Sequence, residues 1–229
     1  MNRLLASMAI TVASACSAEP TIPFKAWGKS GDDADARFCT SLGAIEVTGD
    51  ATGKLRIAGR RTASLPIGKS ETVDWLWSTP VESDILVAYE STDRTADGSG
   101  GGLCRFSGDL TKRRWCTLFP AFNVVASLSS GKTVFLAGIG TVAEVDTRSG
   151  KYLWKVGGLY ERSHAFNAFL TPIEEGNMVK FFATEGTGRA APWKAVIDRR
   201  SGKLNAAVAV PSLEGSAVEV VRSAGPCAM

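Results

Sequence analysis

The residues able to do chemistry are few, and their spacing limits each of them. His164 is the single histidine of the chain, which excludes a His-rich zinc site or a pair of histidine ligands. A Ser–His–Asp arrangement built on His164 lacks the nucleophile-elbow sequence that would present its serine. Gly138-Ile-Gly140-Thr-Val-Ala143 has the glycine spacing of a dinucleotide-binding turn. The stretch from Thr141, Thr-Val-Ala-Glu-Val-Asp, reads as a strand, whereas a pyrophosphate needs a helix N-terminus there. Gly186-Thr-Gly188 stands near the corresponding place one unit later, as a hairpin turn would. Ser130-Gly131-Lys132-Thr133 is the tail of a phosphate loop, but Ala126 occupies the position of the first glycine. Asp32-Asp33-x-Asp35 offers oxygen ligands without the following Gly and Glu of a calcium loop, and reads as a solvated linker. Gly98-Ser-Gly-Gly-Gly102, set among Glu90, Asp93 and Asp97, reads as a flexible hairpin tip. No catalytic, cofactor-binding or metal-ligating residue is assigned, and no cofactor is implied.

The other chemically distinctive side chains are the five cysteines. With Cys16 set aside, Cys39, Cys104, Cys116 and Cys227 remain, an even number suited to disulfides in an oxidising compartment, with three ways to pair. Cys16 belongs to an N-terminal targeting pattern. Arg3 is its positive start, Leu4 to Ala15 its apolar stretch, and small residues come after. Ala13-Ser14-Ala15-Cys16 resembles the lipobox of bacterial lipoproteins, in which the cysteine becomes the lipid anchor, although Ala13 replaces the usual Leu. Ser17 after that cysteine implies, by the same resemblance, the outer membrane. Cleavage after Ala18 by ordinary signal peptidase is the alternative. Residues 1–18 are thus expected to be a signal peptide and the mature chain to be periplasmic.

The whole chain carries 229 residues, 45% hydrophobic and 21% charged, with a net charge of +3. That near-neutral balance argues against a nucleic-acid partner, which wants a concentrated basic face. The basic runs Lys112–Arg114, Arg60–Arg61 and Arg199–Arg200 sit beside turn signals and read as solvated turns.

The elements that must position all this are short strands in a repeat. Pro80–Tyr89, Ser127–Leu136 and Pro172–Phe181 align as a polar turn followed by an apolar, β-branched or aromatic run, with starts 47 and 45 residues apart. Ala-Phe-Asn recurs upstream at 121–123 and 165–167. Each unit closes on a second turn: Asp146-Thr-Arg-Ser-Gly150-Lys151 matches Asp198-Arg-Arg-Ser-Gly202-Lys203, with weaker copies at 48–54 and 107–115. Asp or Ser starts such a turn by bonding its own backbone, and Gly supplies the positive φ. Units of about 46 residues with several short strands match four-stranded propeller blades, whose faces are buried only by stacking. The expected units are 34–79, 80–126, 127–171 and 172–218, flanked by a linker at 19–33 and a tail at 219–229.

Asp146-x-x-Ser-Gly150-Lys-x-x-Trp154 resembles the pyrroloquinoline-quinone-type propeller repeat. In that family the tryptophan docks on a neighbouring blade. Trp115 and Trp154 hold this position, and Ile57 and Ala206 replace it in the other copies. The quinone is not implied, because the family's cofactor-binding members have longer rings, a vicinal disulfide and a calcium site. The fold class expected is all-β, a small β-propeller of four to five blades, with a partial ring completed by a second copy as the alternative.

Cys104 and Cys116 lie symmetrically about the turn at 108–112, which favours their pairing across adjacent strands. Cys39–Cys227 would then join the first and last units, closing a loop worth on the order of 4–5 kcal/mol in chain entropy. Trp75 and Trp77 alternate with Leu76 and share one face of a strand, as core packing or as an aromatic interface patch. The function expected is a non-catalytic, envelope-anchored module that binds a protein partner, as scaffold or as an inhibitor or immunity-type protein. It is similar in kind to the propeller lipoprotein of the outer-membrane barrel-assembly machine. A small hydrolase or lyase using His164, and a structural homodimer subunit, are the alternatives.

Overall fold

The computed structural model describes residues 19–42, 45–95, 98–185, 191–213 and 227. The targeting segment with Cys16, Asp97, the Gly186-Thr-Gly188 turn and the tail other than Cys227 lie outside the described residues.

The chain is all-β, with four antiparallel sheets following one another in sequence. It opens with four short strands, β1 (Glu19–Pro20), β2 (Ile22–Pro23), β3 (Lys25–Ala26) and β4 (Gly28–Ser30), before a 3-10 turn at Asp33–Asp35. The first sheet then adds β5 (Arg37–Leu42), β6 (Ile45–Asp50), β7 (Lys54–Ile57) and β8 (Arg60–Ser64). The second holds β9 (Glu71–Val81), β10 (Asp84–Asp93), β11 (Gly98–Ser107) and β12 (Arg113–Leu118). The third holds β13 (Val125–Ser129), β14 (Thr133–Gly138), β15 (Thr141–Asp146) and β16 (Tyr152–Val156). The fourth holds the short β17 (Ala168–Phe169), then β18 (Ile173–Glu175), β19 (Met178–Thr184), β20 (Trp193–Asp198) and β21 (Leu204–Ala209). Each sheet is a meander in sequence order, the arrangement of propeller blades.

The three aligned sequence segments each straddle the hairpin between the first and second strands of a sheet. Their spacing is therefore the spacing of the sheets. One copy of the closing turn is placed differently. In the second to fourth sheets that turn joins the third and fourth strands, whereas residues 48–54 join the second and third strands of the first sheet. Ile57 is accordingly not a counterpart of the docking tryptophans.

The three large apolar clusters among the described residues are buried between sheets, as alternating strands require. One cluster joins the first and second sheets through Phe38, Val47, Leu55, Ile85, Val87 and Phe106. A second joins the second and third through Trp77, Leu86, Leu103, Val134 and Leu136. A third joins the third and fourth through Phe135, Trp154, Val179, Phe181 and Ile197. The outer side of the fourth sheet has a small cluster of its own, Leu170, Ile173, Phe182 and Val210. Among the described residues, none of these clusters joins the fourth sheet to the first.

Residues 19–30 correct the expectation of a linker. They run antiparallel along the innermost strands of the fourth, third, second and first sheets in turn. Contacts recur every three residues, which frees Thr21, Phe24 and Trp27 to enter the seams. All three are buried. Thr21 donates to the Pro172 carbonyl at 2.8 Å, Phe24 packs between the second and third sheets, and Trp27 packs between the first and second. The Trp27 indole N–H also donates to the Ser78 hydroxyl at 2.8 Å. We call this segment the strap.

Candidate functional site: a polar groove on the first sheet

The expected disulfides both form. Cys104 and Cys116 are direct partners on β11 and β12, with Cα atoms 4.1 Å apart. Cys39 on β5 is bonded to Cys227, with Cα atoms 5.6 Å apart and a sequence separation of 188 residues. Two such bonds suit an oxidising, extracytoplasmic compartment.

The second bond lies beside a broad concavity, a groove of about 860 Å³ on the side of the first sheet that faces away from the second. Alternation along β5 and β6 explains its chemistry. Phe38 and Val47 point to the second sheet, so Arg37, Cys39, Ser41, Glu46 and Thr48 point outward into the groove. Arg56 of β7 adds a cation paired with Asp50 at 3.0 Å. Burial pushes the Asp50 carboxyl up, but hydrogen bonds from Thr52, the Lys54 backbone and Arg56 outweigh it and hold the group below its ordinary value. The groove thus presents both charge signs and several hydroxyls, while Phe38 and Val47 of the same strands are buried on the other side of the sheet. That lining offers hydrogen-bond donors, acceptors and charges of both signs.

Other acids and bases are committed to the sheets. Arg105 donates to Asp84 (2.7 Å), Glu82 (2.8 Å) and, across the seam, the Thr147 carbonyl (2.9 Å). At the equivalent position one sheet later stands Glu144, which accepts from the Trp154 indole (2.8 Å) and from Arg199 (2.8 Å). Arg199 also bonds Glu174 and the Thr133 hydroxyl. Each of these two seams therefore has one polar clasp beside a docked tryptophan. The Trp115 ring lies against Gly150, where a Cβ would come within 2.6 Å, and the Trp154 ring lies likewise against Gly202.

The remaining sequence candidates take structural places. His164 is exposed, its ring stacked on Tyr160 with centroids 4.7 Å apart, and no hydrogen bond joins it to the described residues. Trp77 is fully buried between the second and third sheets, so of the two interface candidates only Trp75, half-buried and stacked on it at 6.4 Å, retains any surface. Gly138–Ala143 is a strand, a two-residue turn and a strand. Ser130-Gly131 forms a hairpin with φ of 49° and 69°. The expectation of a flexible tip at Gly98–Gly102 is corrected: these residues open β11 opposite Tyr89–Asp93. A Cβ at Gly102 would meet the Tyr89 ring at 2.9 Å, so glycine here makes room for a buried tyrosine rather than for motion. The recurring Ala-Phe-Asn brings Asn123 and Asn167 together at 3.0 Å. Among the described residues, no three His, Cys, Asp or Glu side chains converge as metal ligands.

No protein-family model matches the chain, and no curated protein matches it. Among solved structures, a GH43 protein of Bacillus licheniformis, BlXynB, is similar with a TM-score of 0.39 and 8% identity over 84% of this chain. The chain spans 42% of that structure's length. A likeness this slight carries no argument about activity.

Proposed function

We propose that this protein is a non-catalytic propeller module of the bacterial envelope, and that its groove on the first sheet binds a polypeptide partner. Cys16 is its lipid anchor, and the periplasmic face of the outer membrane its place of work. Its repeat is of the quinoprotein type, which the seating of Trp115 and Trp154 on the glycines of the following sheet supports. The carrying observation is the groove itself: an open, mixed-charge surface of about 860 Å³ whose floor is rigid sheet and whose rim is tied by Cys39–Cys227. A scaffold and an inhibitor of an incoming protein both use such a surface. The hydrolase reading has less behind it, because His164 is exposed and stacked on Tyr160.

The test is affinity purification of the native chain from its envelope beside two variants, Thr48→Trp and Glu46→Arg, both altered at exposed groove positions. One stoichiometric protein should accompany the native chain and be lost from both variants while their thermal unfolding is unchanged. Retention of that protein by both would remove the groove from the proposal, and loss of a hydrolytic activity in His164→Ala would replace the binding reading altogether.

A further inference from the structure

We infer that one end of the sheet array is a docking surface for anionic lipid headgroups, whatever fills the groove. The end in question is where the hairpins between first and second strands meet the turns between third and fourth. The two are bonded within each sheet: Gly108 to the Ser83 carbonyl (3.1 Å), Thr147 to Lys132 (2.9 Å) and Arg199 to Asn177 (2.8 Å). They are also tied across the seams, by Arg105 to Thr147 and by Arg199 to Thr133. The second, third and fourth sheets therefore present this end together.

Six exposed cations stand on it: Lys112, Lys132, Arg148, Lys151, Arg200 and Lys203. Two of the pairs, Arg148 with Lys151 and Arg200 with Lys203, occupy equivalent places in successive repeats. None of the six is in a salt bridge among the described residues. The acids of this end are already engaged. Glu82 is held by Arg105 and Glu175 by Lys180. Asp109, Asp146 and Asp198 accept hydrogen bonds inside their own turns. These three aspartates stay ionised, and the six cations outnumber them two to one, in a chain of net charge +3.

The strap says what this end faces. Glu19 pairs with Glu174 beside the β18–β19 hairpin, and the strap runs away from that hairpin, antiparallel to β18. The chain therefore enters the fold at the cationic end. Cys16 lies three residues before Glu19, a reach of at most about 10 Å. On the proposed reading of Cys16 as the lipid anchor, on which this placement rests, an anchor so close leaves this end against the bilayer, where each Lys or Arg gains by proximity to anionic headgroups. A lipid surface is favoured over nucleic acid because the cations are spread over three sheets on turn tips, and the tryptophans beside them, Trp115 and Trp154, are already seated on Gly150 and Gly202.

The exported chain carrying Cys16→Ser, so that no acyl group contributes, is sedimented with vesicles of phosphatidylcholine alone or mixed with phosphatidylglycerol. Binding should require the anionic lipid and fall as salt rises. The triple variant Arg148→Gln, Lys151→Gln, Lys203→Gln should bind on the order of a hundredfold more weakly, from about fivefold per charge. A control at the opposite end, Lys69→Gln with Arg162→Gln, should bind as the native chain does, and all forms should unfold at the same temperature. Equal partition onto both vesicle types, equal loss in the control, or tighter binding to single-stranded RNA than to the anionic vesicles would overturn the inference.

Discussion

At the scale of single residues, the polar groups of the seams matter more than any candidate for catalysis. Arg199 is the shared partner of Glu144, which is 1% exposed, and Glu174, which is 6% exposed. Removing it leaves two buried carboxylates without their cation. Arg199→Ala is therefore expected to cost about 3 kcal/mol in urea unfolding, and the added change Glu144→Gln to recover part of that loss. Asp84 tells a related story. Burial raises its carboxyl, but hydrogen bonds from Arg105 and Arg114 outweigh this and hold it below the ordinary value. Asp109 is lowered to about 2 by the Ser107 hydroxyl and by Thr111. Groups lowered in the folded state contribute stability that is complete above their unfolded values and lost as pH falls through the folded ones. The urea midpoint should thus hold steady down to about pH 4 and drop between there and about pH 2, with a shallower drop in Asp84→Asn. The sequence showed the turn-forming aspartates and docking tryptophans, because those act within a few residues of themselves. It did not show that Arg105 reaches Thr147, or Arg199 reaches Glu144, across the seams, because such pairings join positions 42 or 55 residues apart whose types differ from sheet to sheet.

At the scale of elements, the strap and the docking turns hold the sheets in register. The Trp27 ring fills the seam between the first two sheets, and Trp27→Ala is expected to cost about 3–5 kcal/mol in thermal or urea unfolding. Gly202 is at φ 68° with the Trp154 ring against it, so Gly202→Ala combines backbone strain with a collision. A loss of about 2 kcal/mol is expected, together with a change in Trp154 fluorescence that a purely local turn effect would not give. The meander of four-strand units was legible from period and turn chemistry. The strap was not, because Pro20, Pro23 and a three-residue rhythm of contacts fit neither the alternation of a strand nor the 3.6 period of a helix. The glycines of β11 misled for the opposite reason. A Gly-rich run looks flexible until the tyrosine it accommodates is known.

At the scale of the whole molecule, three seams are filled by apolar clusters, and the first sheet keeps one face polar and open. Cys39–Cys227 spans nearly the entire chain, and Cys39→Ser should lower stability by about 5 kcal/mol under oxidising conditions, with no further loss when reductant is added if Cys104–Cys116 resists it. The groove was not read from the sequence, since Arg37, Glu46 and Thr48 look like any solvated strand face until the sheet that would cover them is found elsewhere. The functional reading rests on that groove being the binding surface. The most direct measurement places a photo-cross-linking residue at Thr48, inside the groove, and another at Leu153, exposed on β16 of the third sheet, in the native envelope. The expected result is one stoichiometric protein captured from position 48 and none from position 153. Capture from position 153 alone, or of the same protein from both, would contradict it.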